Sequence, residues 1–358
     1  MGSMAAPQPG PRQQTRRPSG NLLDPIAQRW AFLVLFTKRT FGTQQADGTK
    51  AYSQSQRRGS TPSSGLWGSV PGRVSKGMPA MQSSFAAVRE CYLEELIEHE
   101  WYDVRTFGKK QRQEMTAPKY LAELLQHGHV TAVEMHSHTP RSDGLIEPER
   151  ISAWTHALYK KGYFRHEYLV VPLVVMVTDH DYIYTSSDLP AIIDEEGLTF
   201  LPSTEVSTEH GHVLYYGSHP EIVHTLDLSK PQLSVKPGGP EFFDMVQTLE
   251  GGVAIPAHPY RETSLLRTLP GDEIAPKLVA VEILNGKTPA EQNRAAIDYA
   301  RQHNLRGVGG SDAHQISRLY SYLTLFDGPI HTLDDLVIAL RQGDYFPVHG
   351  EHLRFKEA

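Results

Sequence analysis

The chain has 358 residues, 39% of them apolar, with one cysteine and a formal net charge of −6. That length buries a substantial core and leaves room for an extra segment. The lone Cys91 excludes an intrachain disulfide and any metal site built on several thiolates, and is the usage expected of a reducing, cytoplasmic setting. The charge is uneven, since residues 1–85 hold eleven Lys and Arg against Asp24 and Asp47, and the remainder holds 24 basic and 39 acidic side chains. An acidic body does not exclude anionic substrates, because bound divalent cations reverse the local field.

Residues 1–83 are rich in Pro, Gly, Ser, Gln and Arg without a sustained period, the composition of a disordered leader. Its apolar run Trp30–Phe36 is too short to cross a bilayer as a helix. Thr37–Thr40 follows that run where a signal peptide needs small residues. A basic arm contacting nucleic acid would suit the charge, although a solvated leader is the plainer account. Residues 84–129 are expected to form a helical lead-in. Phe85, Val88, Tyr92, Leu93, Leu96 and Ile97 have helical spacing opposite Glu90, Glu94, Glu95 and Glu98, and Pro118–Gln126 reads as a second short helix.

Beyond residue 130, short apolar runs alternate with helical patterns. The helices are expected at Glu147–Lys161, Leu189–Glu196, Pro240–Leu249, Pro289–His303 and Thr332–Leu340, the last closed by Gly343, and Ser218–Gly239 reads as a loop. Each apolar run delivers a polar or metal-competent residue at its carboxyl end. Val130–Val133 leads to His136-Ser-His138 and the Asp143-Gly turn; Val174–Val177 leads to Thr178-Asp179-His180-Asp181; Leu198–Leu201 leads to Glu205. Gly252–Pro256 leads to His258, Leu278–Leu284 to Asn285-Gly286, and Gly307–Gly310 to Ser311-Asp312-Ala313-His314. In an extended chain, residues i and i+2 share a face, so His136 and His138 would converge on one point. One His-x-His triplet is weak evidence in a chain with 18 histidines, where His127-Gly-His129 and His210-Gly-His212 also occur. The ordered series is what a parallel β/α barrel would produce, with its chemistry at the carboxyl-end mouth.

The blocks His-Ser-His-Thr with Ser-Asp-Gly, Thr-Asp-His-Asp, Thr-Glu-Val-Ser, Gly-His-Val-Leu, Ala-His-Pro-Tyr and Gly-Ser-Asp-Ala-His resemble, in order, those of the PHP (polymerase and histidinol phosphatase) domain family. The resemblance runs from about Val130 to the C-terminus and implies an α/β fold for residues 130–358, a distorted (β/α)7 TIM-like barrel. It also implies two to three divalent ions, Mn, Fe or Zn. One would sit on His136, His138, Glu205 and Asp312; a second would share Glu205 with His212 and His258; a third would take Asp143, His180 and His314. His210 competes with His212 for its place, and His212 is preferred because strand residues follow it.

The activity implied is phosphoester hydrolysis. Closely spaced cations lower the pKa of a bridging water, orient it and neutralise the leaving oxygen. Arg141, Arg261, Lys287 and Arg318 are candidates for holding phosphate oxygens. A phosphomonoesterase acting on a small phosphorylated metabolite or nucleotide is the leading expectation, with no membrane partner. A nuclease acting on nucleic-acid ends, a metal-binding module without turnover, and an amidohydrolase are the alternatives. The short His212–His258 interval lacks room for the helical insertion of the family's nucleotidase and exonuclease branch.

Overall fold

The computed structural model describes residues 84–103, 115, 117–127, 129–166, 169–184, 198–218, 238–248 and 251–355. The leader 1–83, the helix expected at Leu189–Glu196 and most of the loop expected at 218–239 lie outside these residues. Among those described, no helix is long and apolar enough to cross a membrane.

The lead-in folds as two helices, α1 (Phe85–Glu98) and α2 (Lys119–His127). Ser84 caps α1 by accepting the N–H of Ala87 at 3.3 Å. The apolar positions bury Phe85, Val88, Tyr92, Leu93 and Leu96 as their spacing requires. The acidic face is drier than its composition suggests, because Glu95 accepts the Tyr120 hydroxyl of α2 at 2.9 Å.

The first strand, β1 (Val130–Ser137), is buried along its whole length. It pairs in parallel with β4 (Leu173–Val177), which pairs in parallel with β5 (Leu198–Pro202). Helix α3 (Pro148–Tyr159), with Pro148 in its first turn, makes the crossover. The two-residue strands β2 (Arg165–His166) and β3 (Leu169–Val170) precede β4. An antiparallel meander follows: β6 (Thr204–Thr208), β7 (Gly211–Gly217) and β8 (Gly252–Pro256), with α4 (Gly239–Gln247) before β8. Strand β9 (Ala280–Asn285) and β10 (Arg306–Gly310) form a parallel pair around α5 (Ala290–Gln302). Strand β11 (Tyr322–Asp327) returns antiparallel to β1, and β12 (Tyr345–His349) lies antiparallel to β11 after α6 (Leu333–Gln342). Helix α6 opens on a Thr332–Asp335 capping box and ends on left-handed Gly343.

The fold is therefore mixed α/β, but its hydrogen-bonded ladders form separate sheets and do not close into one cylinder among the described residues. Two features depart from regular alternation. Glu209-His210-Gly211 makes a tight turn, with Gly211 at φ 107°, that folds β7 back on β6. Register shifts interrupt the ladders at Glu134/Ser137 and Val308/Gly309. At the carboxyl ends, single bridges, Ser137 with Ala313 and His180 with Glu205, join neighbouring sheets.

Period-two alternation divides β1 between two environments. Val133 and Met135 enter the main core with Val174, Met176, Leu214, Tyr216, Ile255, Val308 and, from α6, Leu336, Val337 and Leu340. Glu134, His136 and His138 face the other way and are also fully buried. Burying that many ionisable groups is unfavourable unless they satisfy one another or a cation.

Candidate metal centre

Glu205, on β6, is the hub. His136 Nε2 lies 3.1 Å, His138 Nε2 3.2 Å and His180 Nδ1 3.3 Å from its Oε2, the last without hydrogen-bond geometry. Its other oxygen, Oε1, faces His258 Nε2 at 2.9 Å and His212 Nδ1 at 3.0 Å. The neighbouring triplet histidine, His210, turns away and accepts the backbone N–H of Gly239 at the start of α4. It is thus His212 that meets Glu205.

Asp312 splits its carboxylate. Oδ1 lies 3.4 Å from His138 Nε2 and 3.8 Å from His136 Nε2, while Oδ2 takes Arg261 Nη2 and Asn285 Nδ2. On the outer side, Asp143 meets His314 Nε2 at 2.9 Å and lies 3.7 Å from both His138 and His180. Four sets of donor atoms consequently lie within 4.8 Å of one another: His138 with Asp143, His180 and His314; His136 with His138 and Glu205; His136 with His258 and Asp312; and His180 with Glu205 and His212. His136, His138, His180 and Glu205 each belong to two sets, whereas the partition expected from the sequence shares only Glu205 between ions.

The donor set fits divalent metal. His136 Nε2 and His138 Nε2 point at each other across 3.1 Å. Two imidazole nitrogens at that separation share at most one proton, whereas a cation accepts both lone pairs. All the donors are nitrogen or oxygen, suited to Mn, Fe or Zn. The backbone is strained where donors are presented: His258 has φ 27° and Asp312 φ 49°, in the region that residues with a Cβ rarely adopt. Gly310 permits the close approach of β10 to β1, since a Cβ there would lie 2.6 Å from that of His136.

Without metal, protons hold the charges together. Burial would lower His136 and His138, but the carboxylates of Glu205, Glu282 and Asp312 hold His136 well above its usual value, and hydrogen bonds to Asp312 and Glu205 raise His138 to about 9. Burial would raise Glu205 and Asp312, yet the charge of His136 on both, with hydrogen bonds from its imidazole neighbours, keeps them well below the carboxylate range. His258 and His180 go the other way, lowered chiefly by burial.

Several residues that sequence reasoning passed over support the cluster. Glu282 accepts His136 Nδ1 at 3.0 Å on one oxygen and the N–H of His258 at 2.6 Å on the other. Glu134 accepts the N–H groups of His136, Ser311 and Tyr320, and burial, only partly offset by those bonds, raises it to about 7. Asp179 gathers Thr139 N–H, Thr139 hydroxyl and Ser142 hydroxyl, which fixes the loop carrying Asp143. The available signal was a single acid inside an apolar strand, as in Ala280-Val-Glu-Ile-Leu and Val133-Glu-Met.

The basic candidates separate. Arg261 is drawn inward, with Nε on Thr288 and Nη2 on Asn285 and Asp312. Lys287 is exposed beside His314. Arg141 stands at the rim, its guanidinium 4.3 Å from the ring centre of Tyr182. Arg318 is exposed on the turn Ile316–Arg318.

Residues 290–345 match the family model described as PHP-associated. That segment spans α5 to the start of β12 and includes Asp312 and His314. Comparison with curated proteins returns no match. Among solved structures, PsfC from Pseudomonas syringae aligns with 63% of this chain and 95% of its own, at 13% identity and a TM-score of 0.45. A candidate metal-dependent phosphoesterase from Bifidobacterium adolescentis aligns with 52% of this chain and 88% of its own, at 18% identity and a TM-score of 0.35. The lesion-specific endonuclease Q of Pyrococcus furiosus aligns with 61% of this chain, which spans 57% of that protein, at 16% identity and a TM-score of 0.41.

Proposed function

We propose that this PHP-type chain is a metal-dependent phosphoesterase acting on a small phosphorylated substrate. The observation that carries the reading is the convergence of five imidazoles, from His136, His138, His180, His212 and His258, on the two oxygens of Glu205. In this reading His136, His138, Glu205 and Asp312 hold one ion, and Glu205, His212 and His258 a second. Asp143, His180 and His314, with His138 at their edge, form a third pocket. When bound, such ions supply Lewis acidity toward phosphate oxygens and acidify a water.

The remaining work falls to the chain's own groups. Glu205 spans the cluster with both oxygens, so its neighbours are held at fixed separation. Glu282 and Glu134 fix the orientation of His136 and of the backbone on either side of it. Arg261 immobilises the outer oxygen of Asp312, leaving the inner one directed at the histidines. Arg141, at the rim, is placed to meet a phosphate oxygen of an entering substrate. No side-chain nucleophile is assigned. The same reading treats the separate sheets as sectors of one distorted barrel, since β10 packs beside β1, β11 and β12.

A nucleic-acid end is the second substrate reading, favoured by the Arg141–Tyr182 pair, where an unstacked base would find an aromatic face. The deciding experiment is metal content by elemental analysis, paired with hydrolysis of an aryl phosphate with and without chelator. Bound Mn, Fe or Zn with chelator-sensitive turnover supports the hydrolase, and phosphorylated metabolites against short oligonucleotides then separate the substrate classes. Metal without turnover on any of these favours a binding module, and no metal after reconstitution overturns the reading.

A further inference from the structure

Strand β10 carries Asp312 just past its carboxyl end, and at its amino end, about 20 Å away at the usual strand rise, stands Arg306. There two arginines meet beside the end of α6. Arg89, from α1, is 7% exposed; its Nη2 and Nε both donate to one oxygen of Glu90, at 3.0 and 3.1 Å, and its Nη1 reaches the carbonyl oxygen of Gly343 at 3.4 Å. Arg306, half-buried, lies against the same glycine, where a Cβ would stand 2.9 Å from its Nε. Its guanidinium makes no hydrogen bond or ion pair with any of the described residues. Tyr345 lines the same cleft and is almost fully buried, yet its hydroxyl also takes no hydrogen bond among the described residues.

Donors here outnumber acceptors, and the charges do not balance. Among the described residues, Glu90 is the one carboxylate within hydrogen-bond reach of either guanidinium; Asp344 is exposed and 3.8 Å from Arg89, a pairing of little strength. One positive charge is left over. Burial, then the charge of Arg89, lowers Arg306, as two like charges held together require. Burial raises Tyr345 against the pull of Arg306 and Arg89, so the hydroxyl stays protonated and able to donate.

The cleft also selects by size. Its volume is about 10 Å³, and Leu93, Leu305 and Phe346 supply apolar wall. An occupant about as large as a water molecule fits, whereas phosphate is too large and brings more charge than the single surplus cation matches. Water itself would supply lone pairs and leave the charge uncompensated.

We propose that the cleft between Arg89, Arg306 and Tyr345 is a halide site, filled by chloride, which ties the lead-in helix α1 to β10 and β12 at the opposite end of β10 from the metal centre. The site is independent of the metal-centre reading and stands or falls without it.

The test compares full-length protein, wild type and Arg306→Gln, in sodium chloride and in sodium gluconate of equal ionic strength, gluconate being a monovalent anion too large for the cleft. Chloride that binds the folded chain stabilises it by mass action, so the wild-type thermal transition should rise by about 2–4 °C and saturate as chloride replaces gluconate. Arg306→Gln should melt at the same temperature in both salts. Crystals of the wild type grown in bromide supply a second readout, an anomalous peak between the two guanidinium groups, which decides the matter alone should the variant fail to fold. A wild-type transition indifferent to the salt, an equal rise in Arg306→Gln, or bromide absent from this cleft would overturn the site.

Discussion

Glu282 holds the Nδ1 of His136 at 3.0 Å, and so decides which imidazole nitrogen faces Glu205. With the proton kept on Nδ1, the Nε2 lone pair is directed at the cluster. Glu282→Gln lowers the acceptor strength without changing size, and outer partners of this kind typically contribute about 10–100-fold in metal affinity. We expect a loss in that range with the thermal transition near that of the wild type, measured by competition with a chromogenic chelator. Unchanged affinity would show that His136 is oriented by packing alone.

Glu205→Gln should do more. One oxygen becomes an amide donor facing imidazoles that already share protons, so metal retention and aryl phosphate hydrolysis should fall together, by more than the about 100-fold ceiling of an outer partner. Activity surviving in metal-depleted Glu205→Gln protein would be inconsistent with a metal mechanism.

Metal uptake should strengthen as pH rises. In the metal-free protein the bonds of His138 to Asp312 and Glu205 outweigh burial and raise it to about 9, so near neutrality a proton occupies the place of the ion. Raising the pH removes this competitor, and affinity should increase by up to about tenfold per pH unit for each proton released. Chelator competition between about pH 6 and 8 measures the slope. A flat or inverted profile would mean that the cluster binds metal without displacing protons.

Folding stability should carry a separate pH dependence from His352. Burial, then the charge of His99, lowers it to about 3, whereas the unfolded chain protonates near 6.5. The unfolded state therefore binds more protons within that window. The contribution is complete above 6.5 and is lost as pH falls toward 3, by at most about 1.4 kcal/mol per pH unit. Urea denaturation of the wild type and His352→Gln near neutrality and at about pH 4.5 should show a smaller loss in the variant. Equal losses would assign the acid sensitivity to other groups.

At Gly310 the limit is steric. An added methyl would sit 2.6 Å from His136 Cβ and 2.9 Å from its backbone nitrogen, so Gly310→Ala must push β10 away from β1. We expect destabilisation of about 1–3 kcal/mol together with weaker metal binding. Wild-type stability and metal content would show that the strands part without consequence.

Much of this arrangement was legible in the sequence because it is local. Apolar runs ending in His136, His138, His180, Glu205, His258, Asp312 and His314 follow from strand length and period, and the helix limits follow from Pro148, Thr332 and Gly343. Pairing partners were not legible. The return of β7 on β6 and the antiparallel β11 and β12 depend on contacts far apart in the chain, to which periodicity is blind. The same blindness hid Glu282, whose partner His136 is 146 residues away. Arg261 was half legible for the opposite reason: its charge was visible, but its neighbours Thr288, Asn285 and Asp312, which draw it toward the cluster, were not.

The contact between α1 and the last strand has a temporal consequence. Phe85 and Tyr92 pack on Phe346, and the Tyr92 hydroxyl accepts the N–H of His349, 257 residues downstream, while also bonding His352. On a ribosome, this helix must wait until β12 has been made before it finds that seat. Until then only α2, through contacts such as Tyr120 with Glu95, is there to cover it, so a chaperone that shields it early in synthesis would raise the yield of folded protein more than one supplied after release.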